Sequence, residues 1–433
     1  MTRLRNLAGI LCLFVSLAAL AQVPVPPISG DSSADEPEAD RPYSSLRYDS
    51  TSGTGFVTSS YLSSRIGASY LYDSYIGDSA FMPTGTLTLV KRGRRNDTEI
   101  DYTGGGSIHS VESAYDSQFQ RLALSETFHG ASWRMTLADQ FEYLPESGYG
   151  NSAFGGIPPQ LIAILQSLFP DQSFIQPGTQ EIMNGAIVNA EKLISRKLSV
   201  HGGFVHSLMQ YPESGLVGLQ SYQGSGGLTR QIGRRDSIAV DYTGSLTDFS
   251  GSYSMVSNKL ALTYTHPFRN RAKLELSVGP EAVLLRSPGQ SDVNRMLVDG
   301  SASFSWQTRR IDASLSYAHN AGSGGGLLQG AEVHSVTASA SRRLLRVWTL
   351  GLQDGFRDVN QLSSLLSTGT ALSYRNAYAG VSLQRNIGRT MTFNVNYNFQ
   401  YQLENQLALP GTEFRRNQVM AGFTYNLRPI SLE

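Results

Sequence analysis

An all-β fold, a transmembrane antiparallel up-and-down β-barrel of eighteen strands with sixteen as the alternative, is predicted by three observations. They are long stretches of apolar–polar alternation, short basic turns at regular spacing, and tryptophans gathered at one end of the strands. The alternation is plainest from Thr390 to Leu403. Met391, Phe393, Val395, Tyr397, Phe399, Tyr401 and Leu403 share one face, while Thr392, Asn394, Asn396, Asn398, Gln400 and Gln402 share the other. A strand has a period of two, so this segment is a strand with one apolar and one neutral polar wall. It is long for a soluble strand, whose usual length is about 5–6 residues, and suits a tilted membrane-spanning one.

The chain begins with a pattern of processing rather than of structure. Arg3 and Arg5 precede an apolar run from Leu7 to Leu20, and Ala19-Leu20-Ala21 has the A-x-A form of a cleavage site, so residues 1–21 are expected to be a signal peptide. Cys12, the single cysteine of the sequence, falls in that run. The mature chain is then expected to hold no thiol for disulfides or metal ligation, which suits export into a Gram-negative envelope. Without Arg3 and Arg5 the chain has 33 basic against 35 acidic residues, a net charge of −2, and nucleic acid is not an expected partner. Residues 22–60 open with Pro24, Pro26, Pro27, Pro37 and Pro42 interleaved with Asp31, Asp35, Glu36, Glu38 and Asp40. So little apolar surface cannot offset the entropy of ordering. A disordered periplasmic segment is expected, either a spacer or a docking arm for a periplasmic partner.

The barrel is expected over 61–428, its first strand within Leu62 to Tyr72. Gly93 to Gly104, GRRNDTEIDYTG, returns as GRRDSIAVDYTG at Gly233 to Gly244: each time a basic turn launches an alternating strand. Similar turns stand at Arg196-Lys197, Arg269 to Arg271, Arg309-Arg310, Arg342-Arg343 and Asn386 to Arg389, and His129 to Ser132 makes the eighth. From Arg196 on, the spacing is roughly 35–45 residues, enough for two strands, a turn and a loop. Short turns belong at the periplasmic end and longer loops outside. Trp133 and Trp348 directly follow such turns and Trp306 directly precedes one, so the three mark one membrane–water rim. Phe141, Tyr143, Tyr317, Phe399 and Tyr401 are expected at the opposite girdle. Asp139 and Asp354 fall on the outward, lipid-facing register of their strands. A β-bulge turning each inward is the favoured reading, and cover by another protomer is the alternative.

The last strand alternates Val419, Ala421, Phe423, Tyr425 and Leu427. Its Gly422-x-x-Tyr425-x-Leu427 resembles the C-terminal assembly signal of bacterial outer-membrane β-barrel proteins. With the alternation, the turns and the aromatic rims, the chain resembles that class in a porin-like form, without pointing to one family within it. The resemblance implies residence in the bacterial outer membrane, contact with its lipid and insertion by the barrel assembly machinery. The 145–183 connection is far longer than its neighbours. It would be the third external loop, which in porins folds inward and narrows the pore. Within it Leu161, Ile164, Leu165 and Leu168 line one side of a short helical pattern after Pro158-Pro159. Such a face buries itself in the pore as a constriction, against another subunit of a homo-oligomer or a partner, or as a self-packed cap.

A closed barrel of this size is wide enough for an aqueous channel. Candidate pore-lining residues are Glu99, Asp101, Lys273, Glu275, Glu281, Asp312, Asn394, Asn396 and Asn398. Both charge signs and many amides and hydroxyls give no single-sign selectivity ring. Seven histidines are scattered without a helix pair or a carboxylate cluster at ligand spacing, so no catalytic set, metal or cofactor is expected. The expected function is a passive channel for small hydrophilic solutes. An export conduit for a polymer such as polysaccharide and a surface structural or adhesive barrel with a closed lumen are the alternatives.

Overall fold

In the computed structural model the described residues are 60–111, 117–145, 180–212, 216–250, 253–268, 271–286, 291–322, 328–362, 373–405 and 413–432. The expected signal peptide, almost all of the acidic segment, and Leu161, Ile164, Leu165 and Leu168 of the long connection lie outside them. The strands are β1 (Ser60–Asp73), β2 (Asp78–Arg92), β3 (Asn96–His109), β4 (Ser117–His129), β5 (Trp133–Leu144), β6 (Glu181–Ser195), β7 (Leu198–Gln210), β8 (Leu219–Gln231) and β9 (Ser237–Phe249). They continue with β10 (Tyr253–Phe268), β11 (Ala272–Arg286), β12 (Val293–Gln307), β13 (Ile311–Gly322), β14 (Ala331–Arg343), β15 (Trp348–Gln361), β16 (Ser373–Ile387), β17 (Met391–Asn405), β18 (Glu413–Asn426) and the short β19 (Ile430–Leu432).

From β1 to β18 each strand pairs antiparallel with its neighbours in sequence, and β1 pairs with both β2 and β18, which closes the sheet into an eighteen-strand barrel. Closure removes the unpaired edges that hydrocarbon cannot satisfy. β19 continues the last strand against β1, with Ser60 opposite Leu432, after Leu427 N–H donates to the Ser64 carbonyl. All eight basic turns join even-numbered strands to the next odd-numbered one, at one end of the barrel. Gly388 takes φ 66° in the β16–β17 turn, a left-handed conformation open to glycine. At the opposite end, the expectation of longer loops fails twice. The β1–β2 connection, residues 74–77, and the three positions between β9 and β10 are as short as most of the basic turns.

The outward face is apolar: Tyr70, Leu87, Leu228, Leu260, Val298 and Phe423 are each about half exposed. Trp133, Trp306 and Trp348 lie on this face at the basic-turn end, and the Arg385 guanidinium stands 5.2 Å from the Trp348 ring. The expected bulges at Asp139 and Asp354 are corrected. Strand pairing runs without a register shift through both positions, so both carboxylates stay on the outward face. Asn184, outward on the adjacent strand, places its amide 3.4 Å from Asp139 Oδ1. The irregularity in this region instead lies between Leu193 and Ser195, beside the β6–β7 turn. An aspartate facing lipid costs less than the 2–4 kcal/mol of a mid-membrane Lys or Arg. Asp139→Leu is therefore expected to stabilise the barrel in lipid vesicles by about 1–2 kcal/mol in a urea titration. Unchanged or lower stability would mean that this face meets water or protein.

Between β12 and β13 the wall departs from full pairing. β12 pairs with β11 along its whole length, but with β13 only from Gly300↔His319 to Gln307↔Asp312. Beyond it, the Ala321 N–H donates to the Glu281 carboxylate of β11 at 3.0 Å. A side chain there replaces the missing strand partner, as a buried backbone donor requires.

Candidate functional site

Over much of the barrel the polar face of the strands points inward, and stretches of the lumen wall consist of neutral hydrogen-bonding groups. The most continuous stretch runs over β10–β14. There Thr263 bonds Ser277 at 3.0 Å, Ser314 bonds Ser339 at 2.8 Å and Ser316 bonds Thr337 at 2.6 Å. Ser301, Ser303 and Ser305 complete the strip on β12. The amides of β17 face the same space, Asn394 and Asn396 half-buried toward the basic-turn end, Asn398, Gln400 and Gln402 buried beyond them. Such groups exchange hydrogen bonds with water or hydroxylated solutes at little net cost, and carry no net charge to select among ions.

The lumen has two tiers. In the basic-turn half many inward side chains are partly open, as Thr392, Asn394, Lys273, Glu275 and Ser277 are, although Thr88, Val90 and Ser199 are buried. In the outer half they are packed. Met183, Met209, Met255, Val283, Leu285, Phe249 and Phe119 form one buried cluster on the inner wall. Leu328, Ala331, Val333, Val359 and Tyr374 form a second. Tyr211, in the β7–β8 connection, has its hydroxyl pKa raised by burial and then by the nearby Glu181 carboxylate.

The buried acids Asp73, Glu142, Asp299 and Glu281 each have a partner. Arg416 and Asp73, 1% and 2% exposed, form an ion pair across the β1–β18 seam, with Nε 2.7 Å from Oδ2. Gln418 donates to the same oxygen at 3.1 Å. Arg121 meets Glu142 at 2.5 Å and Lys259 meets Asp299 at 2.8 Å. Glu281 accepts from Ser257 Oγ at 2.6 Å as well as from Ala321.

All nine candidate pore-lining residues fall on the inward face, but the structure does not gather them. Glu99 and Asp101 lie on β3, where Asp101 accepts from Thr88 at 2.6 Å. Lys273 and Glu275 neutralise each other at 2.6 Å on β11. Asp312 stands exposed on β13, Glu281 and Asn398 are buried in the outer tier, and Asn394 and Asn396 line the open half. Of the assembly-signal residues, Tyr425 and Leu427 are outward and more than 40% exposed, whereas Gly422 is buried on the inner side. The sequence reading missed the outer-tier ion pairs. Their signal was charge at inward positions, near the far ends of strands for Asp73 and Glu142 and mid-strand for Asp299.

Further polar contacts lie nearer the basic turns. On β7–β9, His201 Nε2 lies 2.5 Å from Asp241 Oδ1, bridging over Gly227 of the strand between. A Cβ at Gly227 would collide with that carboxylate and come within 2.7 Å of the imidazole, so only glycine leaves the bridge its space. At the β8–β9 turn, hydrogen bonds from His266 and then Tyr264, each 2.7 Å long, hold the Asp236 carboxyl below its usual range.

No protein-family model and no curated protein sequence matches the chain. Among solved structures it is similar to OccK2 (OpdF) of Pseudomonas aeruginosa, with 12% identity, a TM-score of 0.46, and coverage of 86% of this chain and 100% of that one. OpdQ of the same organism gives 11%, 0.45, 86% and 100%. The FrpB iron transporter of Neisseria meningitidis gives 6%, 0.44, 85% and 81%. At these values the barrel assignment rests on the strand pairing of the chain itself.

Proposed function

We propose that the protein is a passive, porin-like channel of the bacterial outer membrane for small hydrophilic solutes. The observation that carries this reading is the continuous hydroxyl and amide wall inside a closed eighteen-strand barrel whose outer surface is apolar. The neutral wall supports passage of uncharged, hydrated molecules, and the compensated charges leave no fixed ring to favour one ion sign. The packed outer tier supports a narrow pore. Insertion by the barrel assembly machinery is supported by the outward, exposed Tyr425 and Leu427 of the last strand.

The test is swelling of lipid vesicles holding the purified full chain, in isotonic solutions of neutral sugars of increasing size. Fast swelling with monosaccharides and slow swelling with longer oligosaccharides is the expected result. A barrel that is folded by circular dichroism yet admits no monosaccharide would overturn the proposal. A second reading, a surface barrel with a closed lumen, is favoured by the apolar cluster of the outer tier, and that second outcome would support it.

A further inference from the structure

At the outer end of β13 and β14 three side chains converge that no feature of a solute path uses. His319 and His334 are directly paired across the two strands, on the face turned away from the lumen. Their rings stack with centroids 4.2 Å apart and 4° between planes. Glu332, two residues from His334 on the same face, lies opposite Ala321, whose methyl leaves room for the carboxylate to swing over the stack. Its Oε1 is 2.8 Å from His319 Nε2 and 3.8 Å from His334 Nε2. One ligand atom from each residue therefore lies within 4.8 Å of the others. Among the described residues, this is the place where three such groups meet.

We infer that His319, Glu332 and His334 form a binding site for a divalent transition-metal ion. Two parallel imidazoles in contact cannot both be cationic without repulsion. As neutral rings, each keeps one nitrogen lone pair. Those lone pairs lie in the two parallel ring planes, so one ring turns out of the stack about its side-chain bonds to let a divalent ion accept both Nε2 lone pairs and offset the carboxylate charge. Nε2 of His334 is a free lone pair when Nδ1 carries the proton, and the Tyr317 hydroxyl stands 3.3 Å from that Nδ1, placed to accept it. An oriented imidazole of this kind is the usual support of a metal ligand. Two imidazoles and one carboxylate suit Zn²⁺, Ni²⁺ or Cu²⁺ better than the oxygen-seeking Ca²⁺ or Mg²⁺. Side-chain exposures of 18% for His319, 34% for Glu332 and 38% for His334 leave the ion a way in and a coordination position for water.

The position in the wall gives the site a mechanical consequence. His319 forms the last backbone pair with β12, at Gly300, before the two strands part. An ion here ties β13 to β14 where β12 no longer supports them.

The experiment is calorimetric titration of Zn²⁺ into the chelator-treated, tag-free full chain, folded in detergent. One ion per barrel is expected, with a dissociation constant on the order of 1 µM. His334→Gln and His319→Ala are each expected to weaken binding at least about tenfold. His266→Ala, at an imidazole–carboxylate pair with a single histidine, should leave binding unchanged. Zn²⁺ should also raise the melting temperature of the unsubstituted chain and not that of His334→Gln, which keeps the inference testable if His319→Ala fails to fold. Absence of saturable binding, or binding unaffected by His334→Gln, overturns it.

Discussion

Replacing Arg416 with alanine is expected to lower the unfolding free energy of the barrel by about 3–5 kcal/mol. The cause lies at the seam where the first and last strands meet. Asp73 is 2% exposed at its side chain, takes donors from Arg416 and Gln418, and has the apolar Leu71, Met82 and Met420 clustered along the same seam. Removing the guanidinium leaves a buried carboxylate without its counter-charge, and that loss exceeds the worth of an exposed pair several-fold. Arg415→Ala on the neighbouring outward position is the control, since its pair with Glu413 is exposed and such pairs contribute about 0–1 kcal/mol. The double substitution Asp73→Leu with Arg416→Met should recover most of the loss, because an apolar replacement removes both desolvation costs together. Urea unfolding in lipid vesicles reads all three. Equal, small effects of Arg416→Ala and Arg415→Ala would show that the seam is held by backbone pairing alone.

The second large effect concerns access to the lumen. With Cys12 first replaced by alanine, cysteines can be introduced one at a time on the inner wall. Ser305→Cys and Asn394→Cys lie in the partly open half, whereas Gln402→Cys and Ser257→Cys replace residues buried in the outer tier. The first two are expected to react with a water-soluble, membrane-impermeant thiol reagent about a hundredfold faster. A buried thiol reacts only on local opening, and roughly 3 kcal/mol for that opening gives this ratio. Labelling of the detergent-folded barrel, followed by mass spectrometry, measures it. Equal rates at all four positions would mean that the outer tier is as open as the rest.

These two expectations draw on different parts of what the sequence made legible. The wall was readable wherever one face is apolar and the other polar, because alternation in a strand is a direct image of its surroundings. The segment read as Thr390 to Leu403 is β17, Met391–Asn405, and each of the eight basic turns joins two strands. The outer tier was not readable, since inward positions there are apolar too. Ala282-Val283-Leu284-Leu285 is a continuous apolar run in which the buried Val283 and Leu285 are hidden among lipid-facing neighbours. Asp139 and Asp354 misled in the opposite sense, because one charge among outward residues suggested a bulge that the register does not contain. The imidazole–carboxylate cluster could not be found by spacing at all. It depends on the exact pairing of His319 with His334, and a shift of one residue would put the two rings on opposite faces.

The most direct test of the channel proposal is the current carried by single barrels, from the full chain purified in detergent and inserted into a planar lipid bilayer. Stable, discrete steps are expected, smaller than a clear eighteen-strand lumen would give because the outer tier is packed, and with little preference between cations and anions. A bilayer that stays silent while circular dichroism reports a folded barrel would contradict the channel and leave the closed-lumen reading in its place.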